Sequence, residues 1–249
     1  MKLIITLCLL SLSLTANAQI SQTKGPFQDK FRQLDEVLPT ANSYRTASGA
    51  PGSEYWQQQA DYFIEATLDE ANQRITASER ITYTNNSPDT LRYLWLQLDQ
   101  NRFQNESIAR SSETAGTSDR LSFYTLRREQ TFDNFQGGFQ ISRVQEVRGN
   151  ELNTQINGTM MRVDLEEPLA PGDSVSFEID WQHNIINQSV LGGRGGYEYF
   201  EESDTYQFAI SQWYPRMAPY TDYDGWINKQ FVGTGEFSLE FGDFEVHLT

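Results

Sequence analysis

The sequence predicts an all-β protein, built as a β-sandwich or as a set of curved antiparallel sheets. Three observations lead there. After Ala60, apolar and polar residues alternate with a period of two through run after run. Clusters of Pro, Gly, Asn and Asp interrupt those runs at strand-length intervals, with little helical period between them. Aromatic residues make up 13% of a chain that is only 38% hydrophobic, which suits large side chains on pleated surfaces.

The chain opens MKLIITLCLLSLSLTANAQ. Lys2 supplies the charged start, Leu3 to Leu14 the apolar stretch, and Ala16-Asn17-Ala18 a small-x-small cleavage pattern. Residues 1–18 therefore read as a secretory signal peptide, and the product as exported, periplasmic or secreted. The only cysteine, Cys8, lies inside that stretch, so cleavage leaves a chain held by packing without disulfides. Residues 19–54 form a polar lead-in, in which Phe27, Phe31 and Leu34 share one short helical face. Residues 55–249 form the β domain, large enough to bury a core of its own.

Within it, Tyr62, Ile64, Ala66 and Leu68 share one face of a strand, and Ile75, Ala77, Glu79, Ile81 and Tyr83 one face of its return. Asp69 to Gln73 supplies the turn between them. TLRYLWLQLDQNRF is apolar on both faces, as in a strand covered on two sides. Residues 104–138 are polar and weakly periodic, a long loop with a helical turn near Leu121–Arg128 or an insertion packing elsewhere. Phe139–Val147 alternates again. Thr159–Leu165 and Ser174–Trp181 read as a hairpin-like pair across EEPLAPGD. Tyr206–Ser211 is a short strand, and Glu236–Phe241 with Phe244–Leu248 reads as a tight hairpin around Gly242-Asp243.

The net charge of −15 makes nucleic acid and anionic lipid poor partners, and no run after the signal stretch is long and apolar enough to span a membrane. His183 and His247 are the only histidines, with no His-Glu-x-x-His spacing and no cysteine to complete a zinc site. No Gly-x-Ser-x-Gly elbow occurs, and the GGRGG run at 192–196 lacks the strand–loop–helix setting of a phosphate loop. Asp222 and Asp224 are the nearest pair of acids beside aromatics, and a hydrogen-bonded turn accounts for them. Trp213, Tyr220, Tyr223 and Trp226 could instead stack on sugars, which would make the protein an exported carbohydrate- or protein-binding module.

Three stretches taken together carry a resemblance: YLWLQLDQNRF at 93–103, PLAPGDSVSFEIDW at 168–181, and SQWYPRMAPYTDYDGW followed by GTGEFSLEFGDFEVHL. In this order and spacing, from about Tyr55 to Thr249, the sequence resembles the N-terminal β domain of the aminopeptidase-N family of zinc metallopeptidases, which includes leukotriene hydrolase-like enzymes. The likeness is to the secreted bacterial type. It implies a saddle-like set of β-sheets that is itself non-catalytic. It places zinc and its His-Glu-x-x-His helix in a later domain absent from this chain, against which the β domain packs. It also implies a peptide substrate and a substrate-binding role for Gln212, Trp213 and Tyr214. Gln212 matches the first position of a Gln-x-Gln/Glu-Pro segment, and Pro215 the last. Tyr214 stands where that pattern has the amine-binding Gln or Glu. A phenol accepts a hydrogen bond from an ammonium group but brings no charge.

Overall fold

The computed structural model describes residues 41–113, 120–235 and 238–249. The expected signal peptide at 1–18 and the expected Phe27–Leu34 face lie outside the described residues. The described residues form two packed β-sheets and two small ribbons, an all-β architecture.

Strands β1 (Gln59–Asp69) and β2 (Arg74–Thr84) pair in an unbroken antiparallel hairpin. The turn closes where the Asn72 N–H and side-chain amide both donate to the Asp69 carboxylate. The alternation has the expected sense: Ala60, Tyr62, Ile64 and Ala66 face inward, opposite Ile75, Ala77, Ile81 and Tyr83. Strand β3 (Leu91–Gln97) buries Leu94 and Leu96 completely, while Tyr93 and Trp95 on its other face are half-buried. Arg162 covers the Tyr93 ring at 4.1 Å.

A 3-10 turn (Asp99–Phe103) follows, then α1 (Ile108–Ser111) and α2 (Phe123–Asn134). The helical turn expected near Leu121–Arg128 is thus the start of a twelve-residue helix, capped where Ser122 accepts from the Thr125 N–H. Only Phe132 of α2 is buried.

Strands β4 (Gln140–Glu146), β5 (Thr154–Asn157), β6 (Met160–Leu169) and β7 (Ser174–Asn184) come next. Here the structure corrects the sequence reading. β6 and β7 are not a hairpin: β6 pairs with β3 and β5, while β7 pairs with β2 and β4. The tight turn at 170–173 carries the chain from one sheet to the other. The Asp173 N–H donates to the Ala170 carbonyl there, and the Gly172 N–H to that of Asn85. Asn85 is wholly buried and ties the corner together through Gln58, Ser87 and the Asp89 and Leu169 carbonyls.

Helix α3 (Gln188–Leu191) leads to the ribbon of β8 (Gly196–Phe200) and β9 (Thr205–Ala209). Then come β10 (Arg216–Met217), β11 (Tyr220–Thr221), β12 (Gly225–Trp226) and β13 (Phe244–Leu248). The larger sheet has the order β13-β1-β2-β7-β4 and the smaller β10-β3-β6-β5.

The hairpin expected around Gly242-Asp243 is also corrected. β13 pairs in parallel with β1, from Tyr62↔Phe244 to Ala66↔Leu248, and Phe241 bridges in parallel to Gln59. Part of the partner run, residues 236–237, lies outside the described residues. Gly242 serves close approach rather than a turn: a Cβ there would meet the Ala60 carbonyl oxygen at 1.7 Å.

The inner faces of both sheets meet in one core. Trp181, Phe177, Ile179 and Ile64 of the larger sheet pack with Leu94, Leu96, Met161 and Val163 of the smaller, none more than 1% exposed. Each such side chain contributes about 1.5–3 kcal/mol by leaving water. A separate cluster of Phe103, Phe132, Ile186, Val190 and Leu191 joins the 3-10 turn, α2 and α3.

Candidate functional site

The segment from Ser211 to Trp226 crosses the edge of the core. It is anchored at β10, where Arg216 and Met217 pair with Gln97 and Leu96 of β3, and the Ala218 N–H continues to the Trp95 carbonyl. Beneath it the Tyr62 phenol accepts from the Met217 N–H at 2.9 Å. Arg216 forms a buried ion pair with Asp99 and donates to the Gln97 side chain at 2.9 Å.

Before β10 the chain has no strand to lean on, and side chains hold it instead. Gln212 adopts a left-handed backbone, φ 54°, uncommon for a residue with a Cβ. The Gln100 amide lies 3.1 Å from both the Ser211 and the Gln212 carbonyl oxygens. His183 Nε2 lies 3.1 Å from the Trp213 carbonyl, and Nδ1 3.2 Å from that of Asn184. The imidazole stacks on Trp181 at 5.8 Å and meets the edge of Phe139 at 5.1 Å. Burial in this aromatic slot pushes its pKa down to about 4, so the ring is neutral at ordinary pH.

The three residues singled out from sequence are brought together by this arrangement, with different surroundings. The Trp213 ring packs on Trp181 at 5.8 Å and on Tyr214 at 5.2 Å. Tyr214 sits in an aromatic corner, edge-on to Tyr62 at 5.4 Å and Phe244 at 6.0 Å. Burial raises its phenol pKa, so it stays neutral over the working range. Neither the Tyr214 hydroxyl nor the Gln212 amide has a hydrogen-bond partner among the described residues. Gln212 and Tyr214 thus carry uncommitted polar groups on a fixed backbone.

One neighbour of this segment has no role in the sequence reading beyond its strand parity. Glu79, on the inward face of β2, is 1% exposed, and neither carboxyl oxygen has a hydrogen-bond partner. Burial raises its pKa well above the ordinary value. The Trp181 indole N–H offsets that shift in part, but no hydrogen bond of ordinary geometry joins the two. Its charge would bear on the phenols of both Tyr62 and Tyr214. A Glu at a position flanked by Ala77 and Ile81 was the one available signal. Gln100 had none, because its 3-10 turn shows no period.

The remaining candidates sort out plainly. The Asp222 carboxylate takes Arg45 Nε at 2.7 and 2.8 Å, and the Arg45 guanidinium lies over the Tyr55 and Tyr223 rings. Asp222 and Asp224 belong to the turn joining β11 to β12 and do not form a free pair of acids. Tyr220 is 7% exposed and lies between Trp56 and Trp226, so the aromatic residues form no open row for a sugar. His247 is exposed beside Glu245, far from the slot of His183. Among the described residues no group of three His, Cys, Asp or Glu side chains could hold a metal, so zinc does not fit here.

A shallow hollow of about 580 Å³ lies elsewhere, on the outer face of the larger sheet, lined by Thr67, Thr76, Ser78, Ser142 and Gln182. Asp180 at its rim is occupied by Arg143 at 2.6 Å. No helix among the described residues is long and apolar enough to cross a membrane.

No family model and no curated protein matches the chain. Among solved structures it is similar to the M1 zinc metallopeptidase from Deinococcus radiodurans, at 11% identity and TM-score 0.33, over 55% of this chain and 23% of that one. A mutant of that enzyme bound to a Tyr-Ser-Ala substrate aligns at 12% identity and TM-score 0.39, over 80% and 34%. A two-domain M1 zinc metallopeptidase mutant bound to L-arginine gives 12% and 0.38, over 77% and 32%. The chain spans about a quarter to a third of the length of these proteins. Likeness at this level says nothing of activity.

Proposed function

We propose that this chain supplies the non-catalytic β domain of an exported zinc-dependent peptidase of the aminopeptidase type, in which Gln212 and Tyr214 face the substrate. The observation that carries the reading is the pair of uncommitted polar groups on Gln212 and Tyr214, set in a segment that ends in Pro215. Their backbone is held from behind, so the groups are free to bind while the chain that bears them is not free to move. Trp213, packed between Trp181 and Tyr214, provides the apolar wall.

On this reading the substrate is a peptide, and its free amino terminus donates to the Tyr214 hydroxyl. A neutral phenol offers the ammonium group a hydrogen bond without an opposing charge, so recognition of that terminus is weaker than a carboxylate would give. Hydrolysis belongs to a zinc-bearing domain packed against this one. The described residues position substrate and exclude water.

The experiment uses the enzyme containing this domain and peptides with free or acetylated amino termini. Tyr214→Glu lowers KM for the free-terminus peptide about tenfold and leaves the acetylated one unchanged, since a charged acceptor adds roughly 1–2 kcal/mol. Gln212→Ala raises KM for the free-terminus peptide. An unchanged ratio of the two peptides in both variants sinks the reading. So does a reading frame beyond Thr249 that encodes no His-Glu-x-x-His helix.

A further inference from the structure

We propose that Gln100 and His183 are positioning residues, which grip three successive carbonyls from Ser211 to Trp213, hold Gln212 in its left-handed turn and so set where Gln212 and Tyr214 point. The functional meaning of this clamp rests on the substrate-facing reading of that segment; the clamp itself does not.

The accounting of backbone acceptors leads to it. Residues 211–213 lie between β9 and β10, and no backbone N–H donates to any of their three carbonyls. Buried or half-buried carbonyls need a donor from somewhere. A Gln side-chain amide has two N–H groups, and Gln100 spends one on each of two consecutive carbonyls. The third falls to His183. A neutral imidazole has a single N–H, and its ring nitrogens face two carbonyl oxygens. The clamp requires the proton on Nε2, which lies 3.1 Å from the Trp213 carbonyl, an oxygen that no backbone N–H reaches.

Both donors are themselves rigid. The 3-10 turn that carries Gln100 is pinned by Asn101, whose side chain donates to the Gly158 carbonyl at 2.8 Å and accepts from the Phe139 N–H at 2.8 Å. His183 is wedged between Trp181 and Phe139. The space behind them, beside Ile185, Ile186 and Gly195, amounts to about 10 Å³, at the limit for one water. Gly195 permits the close fit, since a Cβ there would meet the Ala209 carbonyl at 2.4 Å and the Ser211 nitrogen at 2.8 Å. Packing thus backs the clamp, and a left-handed non-glycine residue persists only where its surroundings over-determine it.

The test begins with the unmodified chain, labelled with ¹⁵N. Two-dimensional NMR of the imidazole nitrogens at neutral pH shows His183 protonated on Nε2; protonation on Nδ1 alone overturns the proposal. In Gln100→Met and in His183→Leu the backbone shifts of Gln212 lose their left-handed signature, while amides of β1 and β2 stay in place. His183→Gln, which keeps a donor at the Nε2 position, restores that signature. Gln212 remaining left-handed in both apolar variants overturns the clamp, and if either variant fails to fold the tautomer of the unmodified protein still decides. In the zinc-bearing enzyme, Gln100→Met raises KM for a free-terminus peptide on the order of tenfold to a hundredfold with bound zinc unchanged. A clamp confirmed by NMR together with an unaffected KM in Gln212→Ala would refute the substrate-facing reading alone.

Discussion

Replacing Glu79 by Gln changes one atom of a fully buried side chain and removes its ability to ionise. In the native protein both carboxyl oxygens lack partners, and burial holds the group protonated well above the ordinary glutamate value of 4.5. In the unfolded chain the same group releases its proton as pH rises through that value. Between the two pKa values the native state therefore binds one more proton than the unfolded state, and stability falls as pH rises. The slope for one proton is about 1.4 kcal/mol per pH unit. Glu79→Gln has no such slope, so the stability difference between variant and parent grows by about that amount for each unit inside the window. With a urea dependence of roughly 2.5 kcal/mol per molar, the midpoints separate by about 0.5 M for each unit. The facing titratable groups, the Tyr62 and Tyr214 phenols, have raised pKa values and stay neutral throughout. The assay is urea unfolding followed by tryptophan fluorescence between about pH 5 and 6, where the window is open. Parallel midpoints for parent and Glu79→Gln would refute the reasoning, because the carboxyl would then ionise alike in both states.

A second buried titratable group works in the opposite sense. His183, depressed from 6.5 to about 4, stays neutral while the unfolded chain takes up a proton, so stability is lost as pH falls through that interval, by about 3 kcal/mol in all. In His183→Gln this component vanishes, which unfolding midpoints at the two ends of the interval measure; equal losses in both proteins count against it. Gly242→Ala drives a Cβ into the Ala60 carbonyl, a backbone atom that cannot swing aside. The expected result is release of β13, read as faster amide exchange at Tyr62 and Leu68, whose N–H groups donate to Asp243 and Thr249. Undisturbed protection at both amides would show that the strand finds another route.

Strands were legible in the sequence where a period of two ran long enough. β1, β2, β4, β6 and β7 all stand close to where alternation placed them. What alternation cannot give is the sheet a strand joins. β6 and β7 looked like a hairpin because turn residues sit between them, yet a tight turn can serve equally to step between layers. Gly242-Asp243 misled for a related reason: glycine marks a turn and a close backbone approach with the same letter. Helix α2 showed only as a helical turn, because its apolar residues Phe123, Tyr124 and Leu126 are exposed and only Phe132 is buried, so no stripe of period 3.6 exists to give its length. The two-residue strands β10, β11 and β12 are too short to show any period. The candidate site divided along the same line. Gln212 and Tyr214 were found through resemblance, whereas Gln100 reaches the Gln212 carbonyl from 112 residues away, a relation no local pattern contains.

The parallel partnership of β1 and β13 sets an order of events during synthesis. β1 and β2 can zip together as soon as both are made, because four residues separate them. The outer edge of β1 has no such neighbour at hand. Its hydrogen-bond groups stay bare until Phe244–Leu248 arrives, long after the rest of the sandwich is available to close. A nascent chain passes through a stage in which it is nearly folded yet carries an open, β-branched and aromatic edge, the condition under which chains pair with one another instead of with themselves. β13 thus covers the edge of β1 and carries the sheet's edge one strand outward, and the time it takes to dock sets how long β1 stays bare.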